Sequence, residues 1–405
     1  MRHTLSSFLV IAILSACASR STSDSSVLQQ PETSTGFRDV ERSSAASFMV
    51  STANPESTQA AIEVIQAGGS AIDAVIAAQM VLTVVEPQSS GIGGGAFLLH
   101  YDSTDSTVIG YDGREQAPSA MGPRAFLKED GTRLSFKDAV VGGLSVGAPG
   151  VVAALEAAHR EHGELPWARL FDSAIGLARD GWQVHPRLAN GLKSVPALLD
   201  YAGKNSMYYD GEGNTRQVGE RVTNPELAVT FEQLAEGGSD VFYRGAIGEA
   251  IVEVVANAKR PGLLTVDDLA RYAPEKREGV CLPYRTYQVC GFPPPAGSLV
   301  AVTILKLLER FDLASLEPNG SEFLHLYAQA SELAYSDRDT YYGDPAATSV
   351  PVDALLDAER LAAGSRLITT EARSSEPMRM PVVAVTPDRD VACELSAANG
   401  PGPSE

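Results

Sequence analysis

Residues 71–85 constrain the architecture more tightly than any other stretch: of fifteen positions only Asp73, Gln79 and Thr83 are polar. A helix that is apolar on nearly every side must be covered on several faces, so the rest of the chain has to supply layers around it. Ser70 predicts its first turn. Asp73, three residues on, can reach back to the free backbone N–H groups, so this acid reads as a cap and not as a catalytic group. Upstream, Asn54-Pro55 predicts the start of another helix, with Ala61, Ile62 and Ile65 at helical spacing and Gly68-Gly69 closing it.

The buried helix runs into Glu86-Pro-Gln-Ser-Ser-Gly-Ile-Gly-Gly-Gly-Ala96. Gly91, Gly93 and Ala96 formally match a dinucleotide-binding fingerprint, which requires a strand before it and a helix after it. Here a helix and a proline precede, and the strand Phe97–Tyr101 follows, so that reading fails. The glycines instead predict close backbone approach, within packed layers or beside a substrate pocket. A polar turn at 102–107 leads back into Val108–Tyr111, which predicts a β-hairpin. Its second strand enters Asp112-Gly113-Arg114-Glu115. The Arg114 guanidinium is a planar fork that matches a carboxylate bidentately. On spacing alone the plainer reading is preferred, an arginine in a surface turn beside an acid.

Val146-Gly-Ala-Pro-Gly150 predicts a turn into a helix over Val151–His159. Further helices are expected over Trp167–Arg179, Asn224–Glu236, Thr265–Arg271, Val300–Leu308 and Phe323–Tyr335, and a strand over Tyr284–Val289. Helices dominate without regular βα alternation, which argues against a doubly wound sheet or a parallel barrel. His159 and His162 form no His-Glu-x-x-His motif and read as surface residues of a helix; no zinc-type Cys/His spacing occurs, so no metal is expected. Cys281 and Cys290 flank the expected strand, and nine extended steps would put them roughly 30 Å apart, too far for a bridge.

The 405 residues are 44% apolar, enough for a substantial core, and the length allows two or three ordinary domains or one large one. With 32 basic and 51 acidic residues the net charge is −19, the wrong sign for a chain that lives on phosphate contacts, so nucleic acid is not expected as a partner. Arg2 and His3, an apolar run Phe8–Leu14 and small residues before Cys17 mark residues 1–16 as a signal peptide. The run is far short of the roughly 20 residues that span a bilayer. Leu14-Ser-Ala-Cys17 resembles the lipobox of bacterial lipoproteins, so Cys17 is expected to carry lipid and the chain to sit on the periplasmic side of a bacterial membrane. Residues 17–45 are expected to form a flexible tether, 46–372 the folded domain, and 373–405 a disordered Ser/Pro/Gly linker.

Several motifs occur in compact order. They are Phe48-Met-Val50, Gly68-Gly-Ser-Ala-Ile-Asp-Ala74, Val85-Glu-Pro-Gln-Ser-Ser-Gly-Ile-Gly-Gly-Gly95 and Tyr111-Asp-Gly-Arg-Glu-Gln-Ala-Pro118. Val146–Gly150, Thr265-Val-Asp-Asp-Leu269, the Pro293–Pro295 run, Ala334-Tyr-Ser-Asp-Arg338 and Gly343-Asp-Pro345 follow. Together, over roughly residues 48–365, they resemble the large subunit of the gamma-glutamyltransferase (glutathione hydrolase) family. One departure stands out: the family's Ser-Ser-Gly-Gly after the triple proline is Ala296-Gly-Ser-Leu299 here.

The resemblance implies a helix-rich α+β fold, the large-subunit part of an N-terminal-nucleophile hydrolase αββα sandwich. It implies a precursor that cleaves itself before a threonine, whose hydroxyl then takes the γ-glutamyl group of glutathione as an ester and passes it to water or an amine. It assigns Arg114 to the donor's α-carboxylate and places Glu115 beside the arginine or the donor's amino group. No cofactor is implied. The family's nucleophile opens the small subunit in a Thr-Thr-His-like start, which these residues lack; Thr369-Thr370 is followed by Glu-Ala-Arg and is rejected as that start. No catalytic residue is therefore expected in this chain, a small subunit is the expected partner, sheet edges meant for it are expected to lie open, and the chain is expected to be inactive alone. The alternatives are a catalytically dead lipoprotein that binds γ-glutamyl compounds through Arg114, or a truncated product with no function of its own.

Overall fold

The computed structural model describes residues 42–371 and 377–384. The signal segment, Cys17 and most of the tether lie outside the described residues, as does the linker apart from 377–384.

Helix α1 (Pro55–Gln66) starts where Asn54 accepts the Glu56 N–H, and helix α2 (Ala71–Val85) starts with Ser70 and Asp73 in a reciprocal capping box. Asp73 is fully buried; besides Ser70 N–H its Oδ2 accepts from the backbone of Glu164 and Leu165, at 2.9 Å each, so the cap also fastens a distant loop. Strands β1 (Ala96–Asp102) and β2 (Thr107–Gly113) form the expected hairpin, with Ala96 opposite Gly113. Two further helices follow, the short α3 (Phe136–Val140) and α4 (Val151–His162). Helix α4 packs on β1 and β2 and also touches α2; α1, the 3₁₀ turn Trp167–Phe171 and the helix Asp172–Asp180 cover α2 elsewhere. Ile76, Met80, Val81 and Val85 of α2 accordingly lie at 0–1% exposure in the larger core. The expected single helix over Trp167–Arg179 is divided at Asp172 into those two pieces.

Strands β3 (Trp182–Gln183) and β4 (Arg221–Val222) make a short pair. Strand β5 (Glu275–Glu278) joins β2, giving a sheet of order β1-β2-β5 in which β1 is an edge. Leu99 and Tyr101 on that edge strand are 41% and 59% exposed. A second core gathers the helix Ser298–Leu308, the helix Ser321–Tyr341 and the helix Ala358–Ser365.

Four expectations need correction. Tyr284–Val289 is not one strand: β6 (Val280–Tyr284) and β7 (Tyr287–Gly291) fold back on each other across Arg285-Thr286. The reversal puts Cys281 opposite Cys290 with their Cα atoms 4.0 Å apart, and the two form a disulfide. The extended-chain separation fails because the chain between them turns. His159 and His162 are half-buried rather than surface residues. His159 bonds the Leu165 carbonyl at 2.9 Å, while His162 bonds the Tyr111 hydroxyl at 2.9 Å and stacks on His100 at 4.1 Å. The expected disorder after Arg373 does not extend to 377–384, where Met380 and Val383 are buried and Arg360 donates to the Pro381 carbonyl. Among the described residues no helix is long and apolar enough to cross a membrane.

Candidate active site

Arg114 follows the last residue of β2, and its backbone is held on both sides. Its N–H donates to Asp112 Oδ1 at 2.9 Å, and its carbonyl accepts from the Tyr272 hydroxyl at 2.8 Å. Tyr272 stacks nearly parallel on Tyr243, whose hydroxyl donates to the Pro149 carbonyl at 2.8 Å. Burial pushes both phenols well above their ordinary range, so they stay neutral donors across the physiological range.

The two glycine segments explain how the turn fits. A Cβ on Gly95 would sit 2.6 Å from the Gly113 carbonyl and 2.7 Å from Glu115 Oε2; one on Gly113 would sit 2.6 Å from the Ala154 methyl. Gly147 approaches the Gln116 carbonyl to a distance that also leaves no room for a side chain. Gly150 and Val151 donate to the Gly94 carbonyl at 2.9 and 3.2 Å, and Gln116 and Ala148 exchange backbone bonds at 3.2 and 2.8 Å. The Arg114–Glu115 turn is therefore clamped between the glycine run after α2 and the Gly147–Gly150 turn before α4. The close approach expected of the glycines takes place beside the arginine.

The Glu115 carboxylate lies against Gly95, while the Arg114 side chain stands largely in solvent. Arg114 is 67% and Glu115 40% exposed, and their closest approach is 3.6 Å, too long for a hydrogen bond. This is Arg114's only ion pair among the described residues. A rigid backbone thus carries a guanidinium with free donors beside a carboxylate, which suits the adjacent carboxylate and ammonium of an α-amino acid. Among the described residues no group of three or more metal-ligating side chains converges. Sequence reasoning singled out Arg114 and Glu115 as candidates but not Tyr272, which lies 158 positions from the carbonyl it holds and carries no local signal. Thr369 is no free amine: its N–H donates to Gln329 Oε1 at 3.2 Å while Gln329 Nε2 donates to its carbonyl at 2.8 Å.

The family model for gamma-glutamyltranspeptidase matches residues 57–400. The glutathione hydrolase proenzyme of Bacillus subtilis (strain 168) is 32% identical over 332 residues, which are 81% of this chain and 56% of that protein. That of Escherichia coli (strain K12) is 34% identical over 310 residues, 76% of this chain and 53% of that protein. The chain thus spans about half the length of these curated relatives. The crystal structure of Helicobacter pylori gamma-glutamyltranspeptidase superposes with a TM-score of 0.78 at 30% identity, covering 83% of this chain and 95% of the matched one. The helix-rich α+β fold is accordingly that of an N-terminal-nucleophile hydrolase. By its motifs, its fold and its relatives, the chain belongs to the gamma-glutamyltranspeptidase family.

Proposed function

We propose that this chain supplies the donor-binding half of a gamma-glutamyltransferase that cleaves the γ-glutamyl amide of glutathione. Arg114 takes the donor's α-carboxylate through its guanidinium, and Glu115 faces the α-ammonium. A threonine at the N-terminus of a partner small subunit attacks the γ-carbonyl, its own amine accepting the hydroxyl proton. The tetrahedral intermediate collapses with the proton passing to the departing amine, leaving a glutamyl ester. Water or an acceptor amine then attacks that ester and restores the threonine.

The observation that carries this reading is Arg114 itself: an exposed guanidinium on a turn fixed by Asp112, Tyr272 and two glycine segments. Two features support a partner subunit. The relatives bear the name proenzyme, and the edge strand β1 presents Leu99 and Tyr101 to solvent. Leu14-Ser-Ala-Cys17 supports lipidation at Cys17 and a periplasmic location; mass spectrometry of the membrane fraction tests this, since Cys17→Ala should remove the lipid adduct.

The function is tested with γ-glutamyl-p-nitroanilide. The chain alone should give no turnover and a mass showing no cleavage beyond the signal segment, because no threonine in it resembles the nucleophile. Adding a small subunit with an N-terminal threonine should restore hydrolysis. Turnover by the chain alone, with host enzyme removed, contradicts the proposal.

A further inference from the structure

Arg277 lies on β5 with its side chain 16% exposed, and three groups converge on its guanidinium. Nε forms an ion pair with Asp112 Oδ2 at 3.4 Å without making a hydrogen bond, Nη2 donates to Glu275 Oε2 at 2.6 Å, and Nη1 donates to the Pro294 carbonyl at 3.1 Å. The other oxygen of Asp112 is the one that accepts the Arg114 N–H. One side chain therefore joins the carboxylate under the candidate donor-binding turn to the proline run that enters the second core.

The run is buried at Phe292, Pro294 and Ala296, and the Ala296 N–H donates to the Pro293 carbonyl at 3.2 Å. Phe292 packs on β2 where Gly110 leaves no room for a Cβ, and its ring lies 4.7 Å from Phe97. Beyond Phe292, Pro293 and Pro294 border a cavity of about 470 Å³ whose wall includes Arg277 itself. Without the guanidinium the Pro294 carbonyl loses its side-chain donor, and Asp112 is left a mostly buried carboxylate whose remaining hydrogen bond is to backbone. A carboxylate in that position is expected to turn toward water and release the Arg114 N–H.

We infer that Arg277 is a positioning residue of the donor site: it holds Asp112 in the orientation that fixes the Arg114 turn, and it ties that turn to the proline run. The inference rests on the reading of Arg114 as the α-carboxylate ligand. Lysine cannot reproduce the role in full, since a single ammonium lacks the fork that reaches Asp112 and the Pro294 carbonyl together.

The test is calorimetric titration of L-glutamate into the 405-residue chain carrying Arg277→Met, Arg277→Lys, Asp112→Asn, or Arg277→Met with Asp112→Asn. Arg277→Met should weaken binding roughly tenfold, and Arg277→Lys should recover part of the loss. The double variant should be no worse than Asp112→Asn, because the two residues act as one device. Ile76→Val, a core change far from the turn in sequence, supplies the control: it lowers the melting temperature and leaves affinity unchanged. Unchanged affinity in a folded Arg277→Met chain, or losses that simply add in the double variant, overturns the inference while Arg114 keeps its role. No glutamate affinity in the unaltered chain overturns the donor-site reading and this inference with it.

Discussion

Arg360 makes four hydrogen bonds inside the fold: two to the Asp337 carboxylate at 2.6 and 2.8 Å, one to the Leu355 carbonyl and one to the Pro381 carbonyl. Both members of that pair are only 7% exposed. Arg114 also stands beside a carboxylate, but at 3.6 Å and with two thirds of its side chain in solvent. In the first case the structure consumes the guanidinium to fasten 377–384 onto the second core. In the second the structure holds only the backbone and leaves the guanidinium available. What separates an arginine that builds a protein from one that can recognise a ligand is whether its donors are already satisfied, and the Arg-acid dipeptide at 114–115 does not reveal this by itself.

The contrast predicts opposite outcomes for similar substitutions. Arg360→Ala leaves Asp337 buried without its partner and should cost about 3–5 kcal/mol of unfolding free energy, read by urea denaturation. A loss under 1 kcal/mol would mean that the second core does not depend on this joint. The disulfide between Cys281 and Cys290 is next in size. Closing so short a loop restrains the unfolded chain by about 2–3 kcal/mol, so reduction, or Cys281→Ser with Cys290→Ser, should lower stability by that order. Unaltered denaturation midpoints with and without reductant would contradict it.

Asp268 gives a smaller effect that depends on pH. Burial pushes its carboxyl up, but hydrogen bonds from Thr265 and Ser119 outweigh this and hold it well below the usual carboxylate range. A group depressed in the folded state stabilises above its unfolded value, near 4, and the contribution is lost as pH falls through the folded one. Asp268→Asn should therefore cost about 1–2 kcal/mol at neutral pH. Its gap from the unaltered chain should close as pH drops below about 4. A gap that stays constant with pH would show that the charge contributes nothing. Smallest of all should be the stability cost of Arg114→Ala, about 0–1 kcal/mol as for exposed ion pairs.

The legible parts of the fold are those decided locally. Asn54-Pro55, Ser70 with Asp73 and Thr265 with Asp268 announce helix starts because a cap needs only residues within three positions of each other. The β1–β2 hairpin was legible for the same reason, and so was the crowding at the glycine segments. The β6–β7 reversal was not. Its turn carries no glycine, asparagine or proline, and Arg285 adopts φ +54°. Arg285 is supported by Glu309, which accepts its N–H at 2.7 Å, and by the Phe311 carbonyl, which accepts from its guanidinium at 3.1 Å. Those partners lie 24 and 26 residues away, beyond what a local pattern encodes. The missed disulfide followed from the missed turn. At the site, Arg114 and Glu115 could be named from their motif, whereas Tyr272 and Arg277, which hold that motif in place, reach it only through the tertiary fold.

The most direct test of Arg114 as the donor's carboxylate ligand is L-glutamate titration into the unaltered chain, Arg114→Ala and Arg114→Lys, with melting temperatures taken on the same samples. Arg114→Ala should lose affinity roughly a hundredfold with almost no change in melting temperature, and Arg114→Lys should fall between, because an ammonium keeps the charge without the fork. Glutamate affinity that survives in Arg114→Ala, or that falls only in step with a lost fold, would contradict the account.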